Sequence, residues 1–305
     1  MSDVLLHTFA CMGTVVNIKI VGNTPNAASF TERKEAVSRA ENWFRKIEVS
    51  CNRFDATSEV RKLSQQPGVP VVVSTILFQA VNFALAVAQH TNGVFDPTIG
   101  RHMESLGFTR DYRTGENTAS SLPVRASTSF RDVELNEALQ TITLHEPLLL
   151  DLGAVAKGLA IDMAARELEP LEHYSIDAGG DVLVSGRNPD SGPWAIGIRH
   201  PRNAEQLIRT MHVSDVAICT SGDYERFSES SSHHHIVNAA TLESANALAS
   251  VTVLADSAMV ADALATAAFS LGPKAGLALL ERHNVEGLLV TPSLTQFATA
   301  RMPLG

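Results

Sequence analysis

The sequence predicts an α+β fold: mixed sheets with packed helices in one compact unit spanning residues 1–305, a two-lobed version of that unit being left open. Three observations carry this. Helical periodicity and strand alternation are interleaved along the chain without regular strand–helix–strand repetition, which argues against a doubly wound parallel sheet. An apolar fraction of 45% beside 19% charged residues describes a globular chain with material for a large core. A length of 305 residues, with no fixed-period repeat and no long linker, fits about one to two domains.

The elements follow in order. Thr14–Val21 sets Val16, Ile18 and Ile20 against Asn17 and Lys19, the alternation of a half-buried strand. Ser29 and Glu32 have the spacing of a capping box. Beyond them Val37, Ala40, Phe44, Ile47 and Cys51 recur every three or four residues, so a helix is expected to lay that stripe on the core. A second amphipathic helix runs over Thr75–Thr91 and stops at Asn92-Gly93, residues suited to a left-handed cap. The Thr-, Ser-, Asn- and Arg-rich stretch Arg110–Ala126 reads as a surface excursion, and Asp132–Leu150 as a hairpin.

In the second half, Asp151–Glu169 starts at a glycine-containing turn and continues as a helix. Strands are expected over Tyr174–Val184, Trp194–Arg199, Leu207–Val213 and Val216–Thr220, punctuated by Gly, Pro and Ser. Ser250–Leu254 is a further strand, followed by an Ala-rich helix from about Asp256 to Leu271, a helix over Pro273–His283 and a strand over Val285–Val290.

Charge narrows the function. The formal net charge is −9, which excludes a nucleic-acid binder working through a broad basic face. The first 150 residues carry 14 basic and 15 acidic side chains, the remainder 10 and 18, so the second half suits a hard cation. Cys11, Cys51 and Cys219 are too scattered for a disulfide framework or zinc site and read as buried thiols. Leu5–Ala10 before Cys11 has a faint likeness to a lipoprotein cleavage box, but no cationic, apolar leader precedes it. No window reaches the roughly 18–20 uninterrupted apolar residues of a membrane helix. A cytoplasmic protein without a membrane span is the expectation.

Several segments carry chemistry. Between Lys62 and Lys274 the sole lysine is Lys157, set in Asp151-Leu-Gly-Ala-Val-Ala-Lys-Gly158. A glycine turn opening a helix, with one cation nearby, meets the needs of a phosphate site, because free N–H groups and the helix dipole favour an anion there. A strand–turn–helix corner with a solvated lysine explains the same pattern. The spacing is not that of a P-loop. Asp262 and Thr266 lie four apart on one helix face, so a carboxylate and a hydroxyl can converge on a cation such as magnesium, which takes hard oxygen ligands. A local hydrogen-bonded pair is the plainer alternative. Thr220-Ser-Gly-Asp223-Tyr reads as a turn after a strand, as does Gly179-Gly-Asp181, and the two together suggest a ligand-binding edge. The run Ser230–His235 holds three consecutive histidines, better suited to a general base or a polar loop than to zinc.

Taken in order, these segments resemble the ApbE-type FAD:protein FMN transferases. The matching stretches are Met12-Gly-Thr14, Asn52-Arg-Phe-Asp55 with Ser58-Glu59, Gly93-Val-Phe-Asp-Pro-Thr-Ile-Gly100, Asp151–Gly158 and Asp177-Ala-Gly-Gly-Asp181. Trp194–Pro201, Thr220–Tyr224, His235-Ile-Val and Ala261-Asp-Ala-Leu-Ala-Thr266 complete the series, which covers about residues 8–290. The resemblance implies an ApbE-like flavin transferase fold and a magnesium-dependent enzyme. Such an enzyme moves the FMN moiety of FAD to a threonine or serine hydroxyl of an acceptor flavoprotein and releases AMP. It further implies FAD contacts from Met12, Val94, Phe95, Asp96, Asp151, Lys157 and Ile236, with Asp181 and Ser221 lining the nucleotide cleft. The Ala154 carbonyl, Asp262 and Thr266 would hold the metal, and His235 would be the general base. A magnesium-dependent FAD pyrophosphatase and a non-catalytic FAD-binding protein are the alternatives.

The chain departs from the family pattern at three places. Asn238-Ala-Ala-Thr241-Leu242 stands where an Asp-Pro-x-Thr-Gly turn is common, Ser64 where an asparagine is, and Arg101-His102 where Pro-Leu is.

Overall fold

The computed structural model describes residues 3–22, 28–124, 128–224 and 234–303. A hairpin of β1 (Val4–Cys11) and β2 (Thr14–Val21) precedes α1 (Phe30–Cys51), α2 (Glu59–Ser64), β3 (Val71–Val72), α3 (Thr75–His90) and α4 (Gly100–Ser105). Next come β4 (Val133–Asn136), β5 (Thr141–Leu144), α5 (Gly153–Leu168), the hairpin β6 (Tyr174–Ala178) and β7 (Asp181–Ser185), the ribbon β8 (Trp194–His200) and β9 (Asn203–Val213), and β10 (Val216–Gly222). The rest is β11 (Val237–Asn238), β12 (Glu243–Ser244), β13 (Ser250–Ala255), α6 (Ala258–Leu271), α7 (Pro273–Arg282), β14 (Glu286–Val290) and β15 (Gln296–Ala298).

Eight strands make one sheet in the order β1-β2-β6-β7-β10-β13-β14-β15, every neighbouring pair antiparallel. Alternate residues of its strands face opposite cores. Ile18, Ile176, Cys219, Val253 and Leu289 point into the large cluster shared with α1, α3, α5 and α6. Ile218, Leu254, Leu288 and Val290 point the other way, onto Ile198 and Met211 of the β8–β9 ribbon. Covering on both faces explains why β13 is buried along its whole length. The α+β expectation therefore holds, with helices on one face and a two-stranded ribbon on the other.

The expected helices form for the expected reasons. The Ser29–Glu32 capping box closes α1 reciprocally, and Val37, Ala40, Phe44, Ile47 and Cys51 are all buried. After α3, Asn92 and Gly93 both take positive φ, as the left-handed stop requires. The β1–β2 turn is two residues, Met12 and Gly13, both at positive φ, which matches the type I′ turn of tight hairpins. Among the described residues of the Arg110–Ala126 excursion most are exposed, but Asp111 is buried and accepts from the Arg113 and Thr114 N–H groups.

Two expectations change: the strand read over Tyr174–Val184 is the hairpin of β6 and β7, turning at Gly179-Gly180, and the turn read at Thr220 lies elsewhere. Thr220, Ser221 and Gly222 are not a turn: they are the end of β10, in register with Thr252, Val251 and Ser250. Their backbone groups favour a turn only without a neighbouring strand, and β13 supplies one; the chain turns at Asp223 instead, whose N–H donates to the Ala249 carbonyl. Residues Leu5–Ala10 are an edge strand, and Cys11 inside it is 3% exposed, its thiol pushed up to about 12 mainly by burial. Cys11 is thus a buried free thiol, as expected. Among the described residues no helix is long and apolar enough to cross a membrane.

The contact that positions the site is between α5 and α6. A Cβ on Gly158 would sit 2.5 Å from the Ala258 carbonyl oxygen and 2.5 Å from the Met259 Cα, so glycine lets α5 run against the first turn of α6. One turn along, Asp162 caps that helix from outside: its carboxylate accepts from Ser257 Oγ (2.6 Å) and from the N–H groups of Ala258 (2.7 Å) and Met259 (3.0 Å). Because the would-be neighbours are backbone, Gly158→Ala is expected to lose about 1–3 kcal/mol of stability from overpacking. Urea unfolding measures it, and an unchanged midpoint would mean that the two helices separate freely.

Candidate functional site

The start of α5 forms one wall of an open cleft of about 190 Å³. Its entry is fixed by Asp151, whose N–H donates to the Pro97 carbonyl (2.7 Å). The Asp151 carboxylate accepts from the Gly153 N–H (2.9 Å) and from Arg53 Nε (2.7 Å). Arg53 is 5% exposed, also donates to the Phe108 carbonyl (3.0 Å), and stacks on Phe54 with its guanidinium 4.0 Å from the ring centre. Lys157, one turn into α5, forms an ion pair with Asp181. Asp181 is 2% exposed and also accepts from the Thr220 N–H (3.0 Å), so the β6–β7 hairpin and β10 both hold the anchor of the lysine.

The opposing wall is the buried face of α6. Asp262 and Thr266 both line the cleft, as does Ala154. Asp262 is 6% exposed, and its Oδ2 accepts the Gly158 N–H at 3.3 Å. Thr266 Oγ1 lies 3.0 Å from Ser221 Oγ, which links α6 to the end of β10. The strand conformation of Thr220–Gly222 matters here, because it sends Ser221 toward α6. The three oxygens of Ala154, Asp262 and Thr266 are hard donors of the kind magnesium takes.

A third side comes from the segment before β11. Two adjacent histidines are sorted by the fold. His234 is core: it is 4% exposed, its Nε2 lies 3.1 Å from the Ala245 carbonyl, and it packs edge-on against Phe269 at 5.7 Å. His235, with Ile236 and Val237, lines the cleft. Residues 230–233, which include the first histidine of the run, lie outside the described residues.

The loop between α3 and α4 supplies the fourth side with Phe95 and Asp96. Asp96 is buried, and burial raises its carboxyl above the ordinary range against the pull of its hydrogen bonds. Those bonds come from Thr98 N–H (2.9 Å), Thr98 Oγ1 (2.7 Å) and Phe130 N–H (2.8 Å), so this carboxylate braces the loop while facing the cleft. Val94 stands apart from the lining; its carbonyl accepts the Ala239 N–H (3.0 Å) and so ties this loop to the β11–β12 hairpin.

Met12 lines an adjoining cavity of about 90 Å³ with Phe54 and Tyr112, and the two cavities share Arg53, Phe54, Asp151, Gly153 and Lys157. The Met12 N–H donates to Glu48 Oε1 (2.7 Å), a buried acid of α1. Of the residues singled out from sequence, the cleft gathers Phe95, Asp96, Asp151, Ala154, Lys157, Ser221, His235, Ile236, Asp262 and Thr266. Asp181 sits behind the lysine, Met12 next door, and Val94 just outside. Sequence reasoning passed over Arg53 and Phe54, although both stand in a quoted motif, and over Glu48, for which a buried position on an apolar helix face was the available signal.

The Lys157–Asp181 pair gives a direct test. Removing the lysine charge strands a buried carboxylate, so Lys157→Met is expected to cost about 3–5 kcal/mol of stability. Asp181→Asn added to Lys157→Met should recover most of it, since an amide oxygen still accepts the Thr220 N–H without needing a counter-charge. Thermal unfolding of the two variants decides it.

Comparison with known proteins agrees with this fold. The ApbE family model matches residues 12–289. The FAD:protein FMN transferase of Vibrio cholerae is 29% identical over 291 residues, covering 92% of this chain and 85% of that protein. That of Treponema pallidum is 30% identical over 313 residues, covering 95% and 85%. Among solved structures, the ApbE protein of Thermotoga maritima superposes with a TM-score of 0.84 at 27% identity, covering 98% of this chain and 97% of that one. The flavin transferase ApbE of Vibrio cholerae does so with a TM-score of 0.83 at 26% identity, covering 98% of each. With a matching model over nearly its whole length, and a sheet, helices and cleft assembled as described, the chain belongs to the ApbE family.

Proposed function

We propose that this protein is a flavin transferase that moves the FMN moiety of FAD to a threonine or serine hydroxyl of an acceptor flavoprotein, with magnesium, releasing AMP. The observation that carries the reading is the convergence on one cleft of a lysine at a helix start, a buried carboxylate with a hydroxyl four residues on, and an imidazole. The names of the relatives support the same reaction class.

Phosphoryl transfer asks for alignment and charge neutralisation more than for covalent help from the protein. In the proposed step the acceptor oxygen bonds to the flavin-side phosphorus while the bond from that phosphorus to the bridging oxygen breaks. AMP leaves with the electron pair, and His235 takes the hydroxyl proton. Lys157 and the positive end of the α5 dipole place positive charge toward the diphosphate. Phe95, Ile236 and Val237 keep part of the cleft apolar, which strengthens those interactions. Asp262, Thr266 and the Ala154 carbonyl would hold magnesium, and their all-oxygen chemistry fits it. Among the described residues no cluster of three His, Cys, Asp or Glu offers a competing metal centre. When bound, the ion supplies neutralisation of charge on the diphosphate oxygens.

The three cysteines take no part as nucleophiles: all are buried, with the Cys51 thiol pushed up to about 12 and Cys219 raised by burial beside Asp262.

The test is incubation with FAD, magnesium and an acceptor flavoprotein, read as flavin fluorescence on a denaturing gel and as AMP released. Asp262→Ala is expected to abolish magnesium-dependent attachment. His235→Ala should keep FAD binding and slow turnover by about 10²–10⁴-fold. Full rate in Asp262→Ala at limiting magnesium would remove the metal assignment; AMP with free FMN and no labelled acceptor would make the protein a hydrolase.

A further inference from the structure

The hairpin that follows His235 is held in an unusual shape. Its turn ends at Leu242, which has φ of 59°, a left-handed conformation that glycine adopts freely and a leucine resists. Asn238 organises the turn from inside: its Oδ1 accepts the N–H groups of Ala240 (2.9 Å) and Thr241 (3.3 Å), and its carbonyl accepts the Leu242 N–H (2.8 Å). From outside, His102 of α4 reaches over, its Nε2 lying 2.8 Å from the Leu242 carbonyl. Since the partner is a carbonyl, this nitrogen carries the proton and donates.

Strained backbone persists where its surroundings over-determine it, and such strain tends to sit at functional sites. Here the strained turn closes the hairpin whose first strand continues directly from His235 and Ile236. The Ala245 N–H donates back to the Ile236 carbonyl (3.1 Å), so the turn and the cleft lining form one hydrogen-bonded unit. Neighbouring α4 residues are also fixed: Met103 lines the cleft, and Arg101 pairs with the buried Glu104, which Arg61 also holds at 3.2 Å.

We propose that His102 is a positioning residue for the reaction: by donating to the Leu242 carbonyl it holds the turn in its left-handed form and thereby sets His235 and Ile236 against the cleft. This rests on the flavin-transferase reading for its kinetic consequence, whereas the structural part stands without it. It makes Arg101-His102 and Asn238–Leu242, the two largest departures from the family pattern, parts of one device.

The experiment combines transfer kinetics with amide hydrogen exchange at Leu242 and Ala245. His102→Ala is expected to lower kcat about five- to tenfold, the worth of one hydrogen bond, and to speed exchange at both amides. His102→Gln, which keeps an N–H donor, should restore both readings. Leu242→Gly, alone near wild type, should rescue His102→Ala, because glycine holds the left-handed turn without a strap. Wild-type exchange and kcat in His102→Ala, or no recovery in the His102→Ala/Leu242→Gly double variant, would overturn the proposal. Should His102→Ala not fold, faster exchange in His102→Gln than in wild type would overturn it equally. Absence of transfer by the wild-type protein, with exchange changed as expected, would instead count against the transferase reading.

Discussion

The close crossing of α5 and α6 is the constraint from which the cleft follows. Gly158 allows backbone-to-backbone approach, and Asp162, one turn on, caps the incoming helix with three accepted hydrogen bonds. With the two helices in that register, the Gly158 N–H meets the Asp262 carboxylate, and Lys157 and Asp262 open onto the same space. A side chain at position 158 would push α6 outward and carry Asp262 and Thr266 with it. Packing and chemistry are thus set by a single missing methyl group.

Charge in the cleft is organised in matched pairs. Lys157 is anchored on Asp181 and Arg53 on Asp151, so each cation is pre-positioned by an acid that is itself fixed by the backbone. Asp96 is satisfied by N–H and O–H donors, and Asp262 takes an N–H from α5. Such an arrangement is expensive to desolvate but rigid once made. One wall of the cleft thus carries the fixed cations and the other the oxygens of Asp262 and Thr266.

Much of this was legible in the sequence. The capping box, the stripe of α1, the stop after α3 and the sharp strand of Thr14–Val21 depend on local hydrogen bonds and on periodicity, and all formed as expected. The i, i+4 relation of Asp262 and Thr266 was equally local. The Thr220–Gly222 segment was misread because its residue types favour turns, while its conformation is decided by pairing with β13, a strand distant in sequence. The edge strand Val4–Cys11 was missed for a similar reason: it lacks clean alternation, and its identity comes from its register with β2.

Sequence by itself determined which residue types were available, where the five longer helices begin and end, and the order of the motifs, because these rest on interactions within a few residues of each other. Residue chemistry alone does not tell His234 from His235; the resemblance pointed to His235, and the tertiary structure put it in the cleft, Asp181 behind Lys157 and His102 against Leu242. Those outcomes depend on which face of each element the sheet and helices bury. That choice is made by long-range packing, in which neighbouring residues of identical chemistry are sent to opposite fates.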